Sequence, residues 1–146
     1  MPSVTDISFV AQIVDWNAQL RHEVIKKAHE HKGTSFVRII QRCPVYVEAI
    51  GKTLQDEPAR LKLLTHDNGV QVDDSVKRQF PNHGEHDPSD IHAARKFAEN
   101  PDELPLGILY QNPDAPRYDL MSAVGLEMTA EERLAGLNEA LDHFAI

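Results

Sequence analysis

Cysteine is nearly absent: among 146 residues only Cys43 carries a thiol. That excludes an intramolecular disulfide and any all-cysteine metal site built from this chain alone, so a ligand role for Cys43 would need partner ligands from elsewhere. No run of about 18 apolar residues is available to cross a bilayer. No basic stretch followed by an apolar segment opens the chain as a secretion signal would. Basic residues are the minority, with 15 Lys and Arg against 23 Asp and Glu and a net charge of −8. This balance disfavours attraction to nucleic acid or to an anionic membrane, and it favours solubility. Internal repeats and low-complexity segments are missing, and no domain boundary stands out. What is present, 41% hydrophobic and 26% charged residues, fits one globular domain with a modest core. Such a protein is expected in the cytoplasm, with neither nucleic acid nor membrane as partner.

The apolar run from Ile7 to Val14 reads as a buried strand. Asp15 and Asn17 offer helix N-caps, and Leu20, Val24, Ile25 and Ala28 then recur at helical spacing. Lys26, Lys27, His29 and Lys32 favour the C-terminal end of that helix, and Gly33 is expected to stop it in a left-handed conformation. Ser35 to Gln41 is β-branched and aromatic, and Pro44 follows just after Cys43. Strand, helix and strand make a βαβ unit, whose strands should be parallel. Ligands of such sheets sit beyond the carboxyl ends of the strands, where Cys43 is expected.

From about 45 to 104 the pattern loosens into what reads as a loop-rich surface excursion. A short helix is expected within Lys52 to Leu64, a short strand through Gly69 to Val72, and a loop from Pro81 to Pro88. Ser89 or Asp90 then caps a helix from Ile91 to Ala98. Leu106 to Tyr110 reads as a third buried strand, bounded by Pro105 and by Asn112-Pro113. Thr129 and Glu132 form a capping box for a last helix, whose stripe of Leu134, Leu137, Leu141 and Phe144 covers the core or equally meets a partner subunit. Three strands make a small parallel sheet that opens almost at Met1, as if cut from a larger one, and such a sheet wants neighbours on its edges.

Several polar groups invite sharper readings. His83, His86 and His92 with Asp87 and Asp90 lie within ten residues of one another and are of the type that binds zinc or iron. His83 and His86 fall in a Pro/Gly-rich loop with nothing to fix their geometry, so a solvated loop capping a helix is favoured. His22, His29 and His31 suit solvent and the helix dipole. Trp16 reads as packing. Arg38 and Arg42 flank a strand expected to be buried, and a salt bridge is favoured for them over an anionic ligand. Cys43, taken by itself, is a small buried residue near a strand end.

The segments Phe9-Val10-Ala11, Val14 to Asn17, Ile25 to Ala28, His31 to Val37 and Gln41 to Tyr46 together resemble the second half of the β subunits of 2-oxoacid:ferredoxin oxidoreductases. The likeness resumes at His86 to Asp90, Leu104 to Tyr110 and Pro116-Arg117-Tyr118, and is weaker from Val47 to Glu85. The agreement is collinear over nearly the whole chain, with the 2-oxoglutarate type as the nearer flavour. It implies an α/β fold: part of a Rossmann-like thiamine-diphosphate-binding domain, a mostly parallel sheet flanked by helices, over residues 1–146. It also implies an α subunit and ferredoxin as partners, coenzyme A as acyl acceptor, and thiamine diphosphate, Mg2+ and one 4Fe-4S cluster as cofactors of the intact complex. By position in the Cys-Pro segment, Cys43 would be one cluster ligand.

The sequence departs from the family in one large respect. It contains no Gly-Asp-Gly motif to hold a diphosphate through a metal and no Cys-x-x-Cys, features of the family's N-terminal half. A cubane needs four ligands, normally thiolates, and this chain supplies one. Two functions follow as expectations. In the first, the chain is the C-terminal portion of a β subunit in a complex converting a 2-oxoacid to acyl-CoA, inactive in isolation and without catalytic residues of its own. In the second it is a non-catalytic assembly module or an inactive remnant of that subunit.

Overall fold

The computed structural model describes residues 7–41, 54–117 and 129–144, with the Phe144 side chain excepted. β1 (Ile7–Val14), α1 (Ala18–Glu30) and β2 (Thr34–Ile40) form the βαβ unit, and β1 and β2 pair in parallel. β3 (Leu61–Thr65), α2 (Asp74–Gln79), β4 (Asn82–Glu85), α3 (Ile91–Glu99) and β5 (Leu104–Gln111) follow. The strand order is β2-β1-β5-β3-β4. β3 runs parallel to both β4 and β5, and only the β1–β5 pairing is antiparallel. The result is an α/β fold, a mostly parallel five-stranded sheet flanked by helices. The chain divides into two compact units, Met1–Ala115 and Pro116–Ile146, where no boundary was legible in the sequence.

Local chemistry accounts for the helices. Asn17 caps α1, its side-chain oxygen accepting from the Leu20 N–H at 2.8 Å. Leu20 and Val24 on that helix are fully buried with Phe9 and Ile13 of β1. Asp90 caps α3 by accepting from the N–H groups of His92 and Ala93 at 2.8 and 3.0 Å. Ala94 of α3 joins Leu64, Leu109, Val10 and Phe97 in a second apolar cluster. In the second unit α4 (Ala130–Phe144) carries the expected capping box: Glu132 Oε2 accepts from the Thr129 N–H at 2.6 Å, and Thr129 Oγ1 accepts from the Glu132 N–H at 3.2 Å. Leu134, Leu137 and Leu141 are all exposed.

Several expectations are corrected. Leu61 to Leu64, placed at the end of a helix by sequence, belong to the interior strand β3; a 3-10 turn at Pro58–Arg60 leads into it. Its Lys62 breaks the apolar run, and the alternation of Leu61 and Leu63 carries the strand instead. Val70 and Val72 are not in a strand; Val70 is buried in the core beneath a turn in which the His66 N–H donates to the Val70 carbonyl at 3.3 Å. Asn82–Glu85, expected as loop, is the edge strand β4, whose polar residues give no hydrophobic signal. Gly33 is not left-handed: α1 ends at His31 in extended conformation, and Gly107 is the positive-φ glycine among the described residues. What requires glycine at 33 is space, because a Cβ there would press on the Ser8 hydroxyl, on His31 Nε2 at 2.9 Å and on Ala115. β2 is not buried but an edge strand. Lys52, Arg42 and Cys43 lie outside the described residues.

Candidate functional site

The carboxyl ends of β1 and β2 meet the amino ends of β3 and β5 at one end of the sheet, the end from which the chain continues toward Cys43. Cys43 itself lies outside the described residues, three positions beyond Ile40, the last residue of β2. Asp15 closes this end by donating its N–H to the Ile40 carbonyl at 3.0 Å. Gln12, buried on β1, donates from Nε2 to the Pro105 carbonyl at 2.7 Å and accepts from Arg38 Nη1 at 3.2 Å. This relay joins three adjacent strands. A salt bridge was expected for Arg38; its described hydrogen bond goes to an amide, because the register places Arg38 beside Gln12.

Beside the relay is a cavity of about 360 Å³ with Ile40 and Leu54 among its apolar lining and Arg38 and Arg60 among its polar lining. Arg60 also faces Glu57 at 3.4 Å. Glu103 on the same wall is fully engaged: it accepts from Asn82 at 2.9 Å and pairs with Lys62 at 2.9 Å. The Asn82 hydrogen bond first, and then Lys62, hold its carboxyl below the usual range. Two guanidinium groups over an apolar lining suit a planar anion.

The histidine cluster resolves into structural roles. His86 is buried, and its Nε2 lies 2.7 Å from the Leu109 carbonyl, so Nε2 carries the proton and donates. Leu109 falls at a register shift, where Val10 pairs with Tyr110 and Ala11 with Ile108, so His86 satisfies a carbonyl at a bulge. Its ring meets Phe97 edge-on at 5.1 Å. Asp87 is held low by the Ser89 N–H and hydroxyl, and Asp90 by the Ala93 N–H. His83 and His92 are exposed. Among the described residues no group of three His, Cys, Asp or Glu is placed to hold a metal ion.

His22 and His29 line an open groove of about 550 Å³ on α1 with Arg21, Ile25 and Lys26. His31 departs from the expected solvent position: Nε2 lies 2.7 Å from the Ser8 hydroxyl and the ring 5.5 Å from that of Phe9. Burial pushes its pKa below the ordinary 6.5. Trp16 packs against the core, as expected.

Comparison with known proteins agrees with this architecture. The family model for the C-terminal region of the pyruvate ferredoxin oxidoreductase beta subunit matches residues 77–124. A 2-oxoacid:ferredoxin oxidoreductase subunit beta from Saccharolobus solfataricus is 30% identical over 112 residues, 77% of this chain. The chain is thus similar to the 2-oxoacid:ferredoxin oxidoreductase β subunits. A second β-subunit relative, subunit beta of oxidoreductase 2 from Aeropyrum pernix, is 30% identical over 116 residues. The solved 2-oxoglutarate:ferredoxin oxidoreductase from Magnetococcus marinus, with 2-oxoglutarate, coenzyme A and succinyl-CoA bound, superposes on 92% of the chain with a TM-score of 0.57 and 25% identity. The chain spans about a third of the length of these relatives, 34% of the Saccharolobus protein and 35% of the Magnetococcus chain.

Proposed function

We propose that the chain is the C-terminal component of the β subunit of a complex that oxidatively decarboxylates 2-oxoglutarate. In this reading 2-oxoglutarate and coenzyme A give succinyl-CoA and carbon dioxide, and the two electrons released reduce two ferredoxins. The reading is carried by the match to β subunits over 77% of the chain. The choice of 2-oxoglutarate leans on what the Magnetococcus protein binds. The complex works in the cytoplasm; among the described residues no helix is long and apolar enough to cross a membrane.

The residues of this chain do not by themselves fit the family's cofactors. One cysteine cannot complete a four-thiolate cluster, and the described acids and histidines are engaged in caps, a bulge and surface positions rather than in a metal site. Thiamine diphosphate, Mg2+ and three cluster ligands are therefore assigned to polypeptide outside this chain, and Cys43 to the fourth ligand. The chain contributes the sheet end, the Arg38–Gln12 relay that stiffens it, and a surface for the partner polypeptides. It is inactive alone, and its partners are an α subunit and the remainder of the β-subunit fold. The test is iron analysis of the complex purified through this chain, with and without Cys43→Ala. The expected result is a loss of about four irons per β subunit in the variant; unchanged iron and sulfide would remove Cys43 from the cluster.

A further inference from the structure

The connections that follow β3 and β4 leave the sheet on opposite sides. Side chains alternate along β3: Leu61 and Leu63 belong to the core cluster that takes Val76 of α2, and Leu64 to the cluster that takes Ala94 of α3. α2 follows β3 and α3 follows β4, so the two helices cover opposite faces. β3 and β4 are adjacent and parallel, and they end in register at Thr65 and Glu85. Neighbouring parallel strands whose connections part in this way open a crevice beyond their carboxyl ends, the place where open α/β sheets bind ligands. This end of the sheet is opposite to the one from which the chain continues toward Cys43.

A cavity of about 280 Å³ lies there, with Thr65, His66, Asp67, Lys77 and Glu85 in its polar lining and Val70 and Val72 in its apolar wall. Drug-sized ligands ordinarily occupy about 300–1,000 Å³, so the occupant is a smaller molecule. Backbone bonds hold the frame: the Thr65 carbonyl accepts from the His86 N–H at 3.0 Å, and the His66 carbonyl from the Gly69 N–H at 3.0 Å. His66 Nδ1 accepts from the Asn68 N–H at 3.1 Å, so Nε2 carries the proton and is a donor. Among the described residues the Lys77 ammonium and the Asp67 and Glu85 carboxylates have neither an ion pair nor a side-chain hydrogen bond. The neighbouring Asp87 carboxylate is already taken up, accepting from the Ser89 N–H at 2.9 Å and hydroxyl at 2.8 Å.

We propose that this crevice binds a free α-amino acid with a small aliphatic side chain. The charges choose a zwitterion. A lone anion would meet two carboxylates for one ammonium, and a lone cation would leave Lys77 unanswered. An α-ammonium facing Asp67 and Glu85, with the α-carboxylate on Lys77 and the His66 Nε2–H, matches every open charge. Charge-assisted hydrogen bonds of this kind are the stronger ones. The aliphatic side chain is chosen by the Val70 and Val72 wall and by the size of the cavity. The site needs no residue of the sheet end near Cys43, so it stands apart from the functional reading above.

The experiment is equilibrium dialysis of isotopically labelled L-valine and L-leucine against the protein recovered from its native host through a tag on this chain, with whatever polypeptides accompany it. The expected result is saturable binding of at least one of the two, at one site per chain, with a dissociation constant below about 1 mM. Competition by 3-methylbutanoate and 4-methylpentanoate, which lack the ammonium, and by 2-methylpropylamine and 3-methylbutylamine, which lack the carboxylate, is weaker by about tenfold or more. Lys77→Met and Glu85→Gln each weaken binding by a similar factor with the melting temperature unchanged. No saturable binding of either amino acid overturns the proposal. An acid or an amine that competes as well as its parent amino acid overturns the zwitterion, and binding unmoved by both substitutions overturns the site. The competition series uses only wild-type protein, so it decides the matter even where a variant fails to fold.

Discussion

His86→Ala strips the Leu109 carbonyl of its described donor and Phe97 of an edge contact, beside a shift in the β1–β5 register. Leaving a buried acceptor unsatisfied costs about 1–3 kcal/mol, and a urea titration of the variant should show a loss of that size. Gly107→Ala meets two obstacles, a φ of +110° and a Cβ 2.8 Å from the Leu64 carbonyl oxygen. Strain of this kind costs about 1–3 kcal/mol; equal denaturation midpoints for variant and wild type would contradict the contact. His31 sets a pH dependence of definite sign. Its pKa is lower in the folded chain than the ordinary 6.5 because burial disfavours the charged ring. Below 6.5 the unfolded chain therefore binds more protons, and the stabilising contribution present above 6.5 is lost as pH falls toward the folded pKa. Melting midpoints between pH 7.5 and 5.5 should fall for wild type and fall less for His31→Gln.

At the scale of elements, the capping box is the simplest device to test. Thr129→Ala removes the hydroxyl that accepts from the Glu132 N–H, and loss of such a cap costs about 1 kcal/mol. Faster amide exchange in the first turn of α4, with the sheet unaffected, is the expected outcome. What was legible in the sequence follows the same physics. α1, α3 and α4 announced themselves because an apolar period and a capping residue coincide in each, as Asn17 and Asp90 illustrate, and β1 and β5 because each is a largely buried apolar run. β4 was illegible because Asn82-His83-Gly84-Glu85 is held by backbone pairing to β3 and not by burial of side chains. β3 was misread because Lys62 interrupts its apolar face and then leaves the core through its pairing with Glu103. The exposure of β2 ran opposite to its composition, and this mismatch between a strand's character and its place became informative only once the strand order was known.

For the whole molecule, the sheet end beyond β1 and β2 was foreseeable from the βαβ unit alone, since parallel strands with a crossover helix direct their carboxyl ends to one side. The cavity beside Arg38 and Arg60 was not, because its walls come from segments more than forty residues apart in the chain, Arg38 from β2 and Asn100 from beyond α3. The proposed ligand role of Cys43 rests on resemblance alone, for no spacing within a one-cysteine sequence can indicate a cluster. A chain that resembles a third of a β subunit is expected to lack the chemistry of the whole. Purified alone it should be colourless and should not reduce a viologen dye with 2-oxoglutarate and coenzyme A. Stoichiometric iron in the isolated chain would contradict that expectation.

The central claim is membership of a working 2-oxoacid:ferredoxin oxidoreductase. Its most direct test is the viologen assay on the assembly recovered through this chain, with 2-oxoglutarate and coenzyme A supplied together and each omitted in turn. Reduction that requires both substrates, and disappears when this chain is depleted from the assembly, is the predicted result; no reduction, or reduction that survives depletion of the chain, would contradict it.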